Sequence, residues 1–264
     1  MQFSSGKQIS VCLFSVMLAS PGVIAATAQE QPGEGLPLEP ERTIEFTTDE
    51  GTWISLDISR DGKTILFELL GDLYTVPLEG GDSVAITSGM AFDSQPSYSP
   101  DGSHIAFVSD RDGAENVWIA NSDGSDPKQL SKEKQSLYVS PSWTPDGEYV
   151  IVTRSDPGSG VWDRSYEIWM YHIKGGKGVQ VTKSKPKPDT PFYEWHNALG
   201  AVASPDGRYL YYAKRTGRPF VEMAGYDFPF CQIARRDLTT GDEDVITEAP
   251  GSALRPVLSP DGTT

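Results

Sequence analysis

From Trp53 onward the chain is written in short alternating runs of apolar and polar residues. Trp53-Ile54-Ser55-Leu56-Asp57-Ile58 alternates apolar and polar, and Thr64-Ile65-Leu66-Phe67-Glu68-Leu69 and Leu73-Tyr74-Thr75-Val76-Pro77-Leu78 follow as a second and a third strand run. A period of two with β-branched and aromatic residues marks half-buried strands. The turns between these runs are Asp61-Gly62, Gly71-Asp72 and Gly80-Gly81-Asp82, and a fourth short run, Val84 to Thr87, follows. An earlier run, Thr43 to Thr47, also reads as a strand. No stretch carries a sustained helical period, so the expectation is all-β.

The same order of runs returns. His104 to Ser109, Asn116 to Ala120 and Lys128 to Leu130 form a second set. Tyr149 to Thr153, Glu167 to Ile173 and Gly178 to Thr182 form a third, and Tyr209 to Ala213, Cys231 to Arg235 and Asp244 to Thr247 a fourth. Each set is headed by a turn: Ser59-Arg60-Asp61-Gly62, Ser99-Pro100-Asp101-Gly102, Thr144-Pro145-Asp146-Gly147, Ser204-Pro205-Asp206-Gly207 and finally Ser259-Pro260-Asp261-Gly262. Proline sets φ at the second turn position, aspartate caps backbone N–H groups, and glycine accepts a positive φ. The aspartates fall at 61, 101, 146, 206 and 261, a period of 40 to 60 residues. A four-stranded sheet of such small size cannot bury both faces alone, whereas face-to-face stacking of copies can. The fold expected is therefore a β-propeller of four-stranded antiparallel blades, incomplete as written: four full blades and the start of a fifth, which begins at Ala253.

These residues also resemble known repeats. The Pro-Asp-Gly turns, with Ser109-Asp110-Arg111-Asp112-Gly113 after the next strand, are similar to the TolB-type propeller repeat over about residues 43–264. The runs Asp49-Glu50-Gly51-Thr52-Trp53, Leu69 to Tyr74 and Arg255 to Gly262 resemble the N-terminal propeller of exported bacterial amidohydrolases. That resemblance implies a metal-dependent hydrolase domain of the TIM-barrel type following the propeller, with this chain cut within its fifth repeat. A metal, zinc by that resemblance, would belong to the absent domain; no cofactor is expected in this chain. The partner implied is the protein's own C-terminal domain or, for a TolB-like module, an envelope protein. A third reading is the gating propeller of a prolyl-oligopeptidase-type serine peptidase.

The first 28 residues read as a secretory signal peptide: Lys7, an apolar run from Ile9 to Leu18, and Ala26-Thr27-Ala28 before Gln29. The apolar run is too short to span a bilayer of roughly 30 Å. Gln29 to Arg42, rich in proline, glycine and glutamate, reads as a flexible leader. A periplasmic or extracellular location follows, with no membrane insertion after cleavage. Twenty-two basic against 37 acidic residues give a net charge of −15, which disfavours nucleic acid and anionic membrane surfaces as partners. Beyond Cys12 in the signal peptide, Cys231 stands alone, so no internal disulfide is available.

Catalytic signatures are lacking. The histidines His104, His172 and His196 form no His-x-His or His-Glu-x-x-His pair, and Gly-x-Ser-x-Gly does not occur. Gly62-Lys63-Thr64 lacks the upstream glycine of a phosphate loop, and Asp110, Asp112, Asp123 and Asp126 do not meet a calcium-loop pattern. The irregular features are three insertions: 155–164, 183–195 and 216–230. Insertions in a repeat protein collect on one face, often the binding face. Their aromatic residues and a neighbouring histidine are the candidate interface: Trp162, Tyr193, Trp195, His196, Phe220, Tyr226, Phe228 and Phe230.

Overall fold

The computed structural model describes residues 46–157, 164–185, 187–191, 194–215, 231–248 and 251–259. These contain sixteen strands and no α-helix. The first sheet holds β1 (Leu56–Ile58), β2 (Thr64–Leu69), β3 (Asp72–Pro77) and β4 (Val84–Ala85). The second holds β5 (Asp93–Tyr98), β6 (His104–Ser109), β7 (Asn116–Asn121) and β8 (Lys128–Gln129). The third holds β9 (Leu137–Trp143), β10 (Tyr149–Asp156), β11 (Ser165–His172) and β12 (Val179–Gln180). The fourth holds β13 (Ala198–Ala203), β14 (Tyr209–Arg215), β15 (Cys231–Asp237) and β16 (Glu243–Val245). Every sheet is an antiparallel meander in sequence order. This is the propeller-blade topology expected from the repeat.

The heading turn is the same device four times. In the second blade Gly102 N–H donates to the Ser99 carbonyl at 2.8 Å, so that carbonyl cannot serve the next strand. The Ser99 hydroxyl takes its place and accepts from His104 N–H at 2.9 Å. The hydroxyl in turn donates to Asp101 Oδ1 at 2.6 Å, which also accepts from Ser103 N–H at 3.0 Å. Ser59 with Asp61, Thr144 with Asp146, and Ser204 with Asp206 repeat every one of these bonds. The glycine has φ between 69° and 73° in all four, a left-handed value that costs glycine nothing. Successive turns lie side by side, with Gly147 against Pro100 and Gly207 against Pro145. In the first blade Arg60 replaces proline, and its guanidinium donates to the Pro100 carbonyl.

Alternation along the second strand of each blade joins the sheets. Ile105 and Phe107 of β6 pack with Leu66 and Leu73 of the first blade, while Ala106 and Val108 pack with Val150 and Val152 of the third. Ile151 of β10 points the other way, to Leu210 and Tyr212 of the fourth blade. Three apolar layers between four sheets thus form the core, each built from residues of both neighbours.

Several boundaries differ from the alternation. Residues 43–45 lie outside the described residues, and Phe46 and Thr47 are not in a strand. Only Leu56–Ile58 of the Trp53–Ile58 run is strand; Trp53 has a φ of 61° and is 97% exposed. Alternation there is satisfied on paper, but the Glu68 N–H to Ser55 carbonyl bond at 3.1 Å lies outside the regular β1–β2 ladder, which pairs only Leu56 to Ile58. The tight turn after β2 is Leu70-Gly71, not Gly71-Asp72: Leu69 pairs with Asp72 across it. Both turn residues have positive φ, 54° and 89°, which defines a two-residue hairpin turn that favours Asn-Gly.

Two expectations follow. Leu70→Asn relieves a left-handed leucine whose strain is of order 1 kcal/mol, and should raise Tm by about 2–4 °C in a thermal melt; no change, or a fall, would mean that the exposed leucine packs on something. Each turn aspartate is held below the usual carboxylate range by its serine or threonine hydroxyl first and by backbone N–H groups, Asp101 down to about 2. A depressed folded value contributes stability above the unfolded value near 4 and loses it as pH falls toward 2. Urea midpoints should therefore drop through that window, and Asp101→Asn should flatten the drop while lowering the midpoint at neutral pH.

Candidate functional site

The first strands of successive blades touch one another, β1 with β5, β5 with β9, and β9 with β13. The sheets therefore converge on their first strands, and each of β5, β9 and β13 carries a bulge there. Gln95 and Pro96 oppose Phe107 alone, Ser140 and Pro141 oppose Val152, and Gly200 and Ala201 oppose Tyr212. The leading residue has φ of 53°, 56° and 60°, and Arg255, six residues before Asp261 like the others before their aspartates, has 54°. A bulge of this kind ordinarily uses glycine. Here a glutamine, a serine and an arginine hold the left-handed position, and proline follows each of them where no N–H is needed.

The strained N–H groups are satisfied from the preceding blade. Gln95 N–H donates to Ser55 Oγ at 3.0 Å and Glu68 Oε2 at 3.1 Å. Gly200 N–H donates to Thr153 Oγ1 at 2.9 Å. Glu68 and Thr153 lie seven residues after their turn aspartates; the corresponding residue in the second blade is Val108, which has nothing to offer. The Gln95 side chain substitutes, its Oε1 accepting from Ser140 N–H at 2.8 Å. Sequence reading missed this line altogether. Its signal was Gln95-Pro96, Ser140-Pro141 and Arg255-Pro256 at a constant offset from the turns.

A second polar centre sits where β10 leads into the first insertion. Arg154 lies over the Trp169 ring at 4.4 Å and pairs with Asp156 at 2.7 Å and Glu133 at 2.8 Å. Tyr138 donates to Glu133 at 2.6 Å, and burial pushes its phenol far above the usual value. Arg164 ties the far end of the insertion to the Ser155 carbonyl at 2.8 Å. The Asp110-Arg111 turn is likewise a brace: Arg111 grips the buried Asp93 carboxylate with both oxygens within 2.8 Å and stacks on Trp118.

Of the candidate interface residues, Trp162, Tyr193, Phe220, Tyr226, Phe228 and Phe230 lie outside the described residues. Trp195 is 4% exposed; its indole N–H donates to the Thr190 carbonyl at 2.8 Å, and Lys185 lies 4.0 Å from its ring centre. His196 is half-buried, its ring nitrogen 3.2 Å from the Arg215 carbonyl. It lines a cavity of about 540 Å³ between the third and fourth blades, with Lys183, Tyr212, Lys214, Arg236 and Glu243. His104 and His172 stand at strand ends, the latter edge-on to Tyr149 at 4.8 Å. Among the described residues no three His, Cys, Asp or Glu side chains gather as a metal site would require.

Stacked four-stranded meanders, headed by capped turns and converging on bulged first strands, define a β-propeller of the kind found in TolB and in peptidases. The chain belongs to the family of the tricorn protease N-terminal beta propeller domain, whose profile matches residues 54–218. It is 29% identical over 165 residues to the uncharacterized peptidase YuxL of Bacillus subtilis, covering 54% of this chain and 25% of that protein. Among solved structures it superposes on TolB from Acinetobacter baumannii with a TM-score of 0.57 at 22% identity, over 79% of this chain and 47% of that one. On the tricorn protease the TM-score is 0.50 at 14% identity, over 83% and 20%. The chain therefore spans between a fifth and a half of these relatives' lengths.

The relay of bulge contacts makes a sharp expectation. Gln95→Ala removes the acceptor for the half-buried Ser140 N–H and should cost about 1 kcal/mol. Thr153→Val should cost a similar amount by stranding Gly200 N–H. Denaturant midpoints equal to the parent's in both variants would show that water replaces the side chains.

Proposed function

We propose that this chain is the non-catalytic propeller portion of a larger exported hydrolase, docking on or gating the hydrolase domain. One observation carries the reading. Ile105 and Phe107, Val150 and Val152, and Leu210 and Tyr212 occupy equivalent positions and are all fully buried by the preceding blade. Their counterparts in the first blade, Ile65 and Phe67, are only half-buried, and Leu56 beside Phe67 is 57% exposed. An apolar sheet face of this kind is completed by one more blade of the same protein. The greater length of the relatives supports the same view.

The partner domain is taken as amidohydrolase-like from the runs at Asp49–Trp53, Leu69–Tyr74 and Arg255–Gly262, with its metal, zinc by that resemblance, held outside this chain. A serine-peptidase domain is the second reading, favoured by the likeness to peptidase YuxL and to the tricorn protease. A TolB-like module holding an envelope protein is the third, favoured by the TolB superposition. Export rests on Lys7, the apolar run and the Ala26-Thr27-Ala28 site, and the acidic chain makes nucleic acid an unsuitable ligand.

The chain alone should turn over neither amide nor ester substrates. In analytical ultracentrifugation it should self-associate through the first blade, and Phe67→Ser should reduce association with little change in Tm. Phe107→Ser, by contrast, should cost about 3–5 kcal/mol. A monodisperse parent with no dye-accessible apolar surface, or clear saturable turnover, overturns the proposal.

A further inference from the structure

The cavity between the third and fourth blades differs in charge from the rest of the molecule. The chain as a whole carries −15, yet Lys183, Lys214 and Arg236 converge on this space with a single carboxylate, Glu243, between them. Glu243 accepts from Tyr212 and from Lys214, and Arg236 approaches to 3.9 Å. Glu243 pairs with two of the three cations, Lys214 through Oε1 and Arg236 through Oε2, but its single charge neutralises only one of them. Lys183, exposed at the rim, has no ion-pair partner among the described residues. The lining also includes apolar groups, Val181, Ala198 and Tyr212. Packing does not require this arrangement: like charges brought together in a half-enclosed space repel unless an anion sits among them.

We infer that this inter-blade cavity is a binding site for a small organic anion, a carboxylate or phosphate head on a short apolar body. The head would lie between Lys183 and Arg236, where two charge-assisted contacts are available. The body would cover Val181 and Ala198. A volume of about 540 Å³ suits a ligand of that size. His196 also lines the space, which gives it a role that its loop position alone did not reveal. The site lies between blades and does not depend on a hydrolase domain, so it stands or falls separately from the docking reading above.

Calorimetric titration of the protein at low salt with phenyl phosphate, benzoate and inorganic phosphate tests it. At least one of the two aromatic anions should bind saturably and more tightly than inorganic phosphate; which of them does so separates a phosphate from a carboxylate head. Lys183→Gln and Arg236→Gln should each weaken binding about tenfold, and Glu243→Gln should tighten it by removing the competing carboxylate. Lys63→Gln, on the first blade, should leave binding unchanged, and circular dichroism melts will show whether Arg236→Gln still folds. Absence of saturable binding by every probe would overturn the inference. So would Lys183→Gln having no effect, or Lys63→Gln weakening binding as much as Lys183→Gln.

Discussion

Everything in this fold depends on the second strand of each blade having two apolar faces. A four-stranded meander gains little from burying one side; Ile105 and Phe107 on one side of β6, and Ala106 and Val108 on the other, make it the centre of a three-sheet stack. Since alternate side chains must go to opposite neighbours, the sheets are obliged to stack in series. The hydrogen-bonded turns only fix where each sheet begins. Their aspartates, regular enough to suggest a site, are each committed through Oδ1 to a hydroxyl and a backbone N–H of their own turn.

Much of this was legible in the residues. The Ser-Pro-Asp-Gly turns are local: the serine, aspartate and glycine bonds that shape them lie within six residues, so the sequence that forms them also displays them. The second strands were equally plain, β2 and β6 running over the apolar runs that follow each turn. What could not be read were features made by two distant segments. Trp53 alternates correctly yet has no strand beside it. The bulges at Gln95, Ser140 and Gly200 answer to Ser55, Glu68, Gln95 and Thr153, tens of residues away. The cavity draws Lys183 from one blade and Arg236 from the next, a juxtaposition that no periodicity encodes.

The candidate interface illustrates the same division. Aromatic insertions drew attention to Trp195 and His196, and the structure puts them to different uses. Trp195 is consumed by its own loop, with its indole hydrogen-bonded to Thr190 and its face covered by Lys185. His196, one residue on, reaches the cavity. Adjacent residues in a loop thus divide into a structural anchor and a lining group according to which way the strand β13 starts.

The bulge contacts give the stack a direction. The N–H groups of Gln95, Ser140 and Gly200 are answered by side chains of the blade before, and where Val108 breaks the pattern Gln95 restores it from the same blade. A blade is consequently complete only in the company of its predecessor. Duplication, deletion or exchange of a blade during the history of such a protein would carry a hidden cost at the next junction, paid not in core volume but in one orphaned amide. The repeats look interchangeable in their turns and strands, yet this junction makes each of them specific to its place in the order.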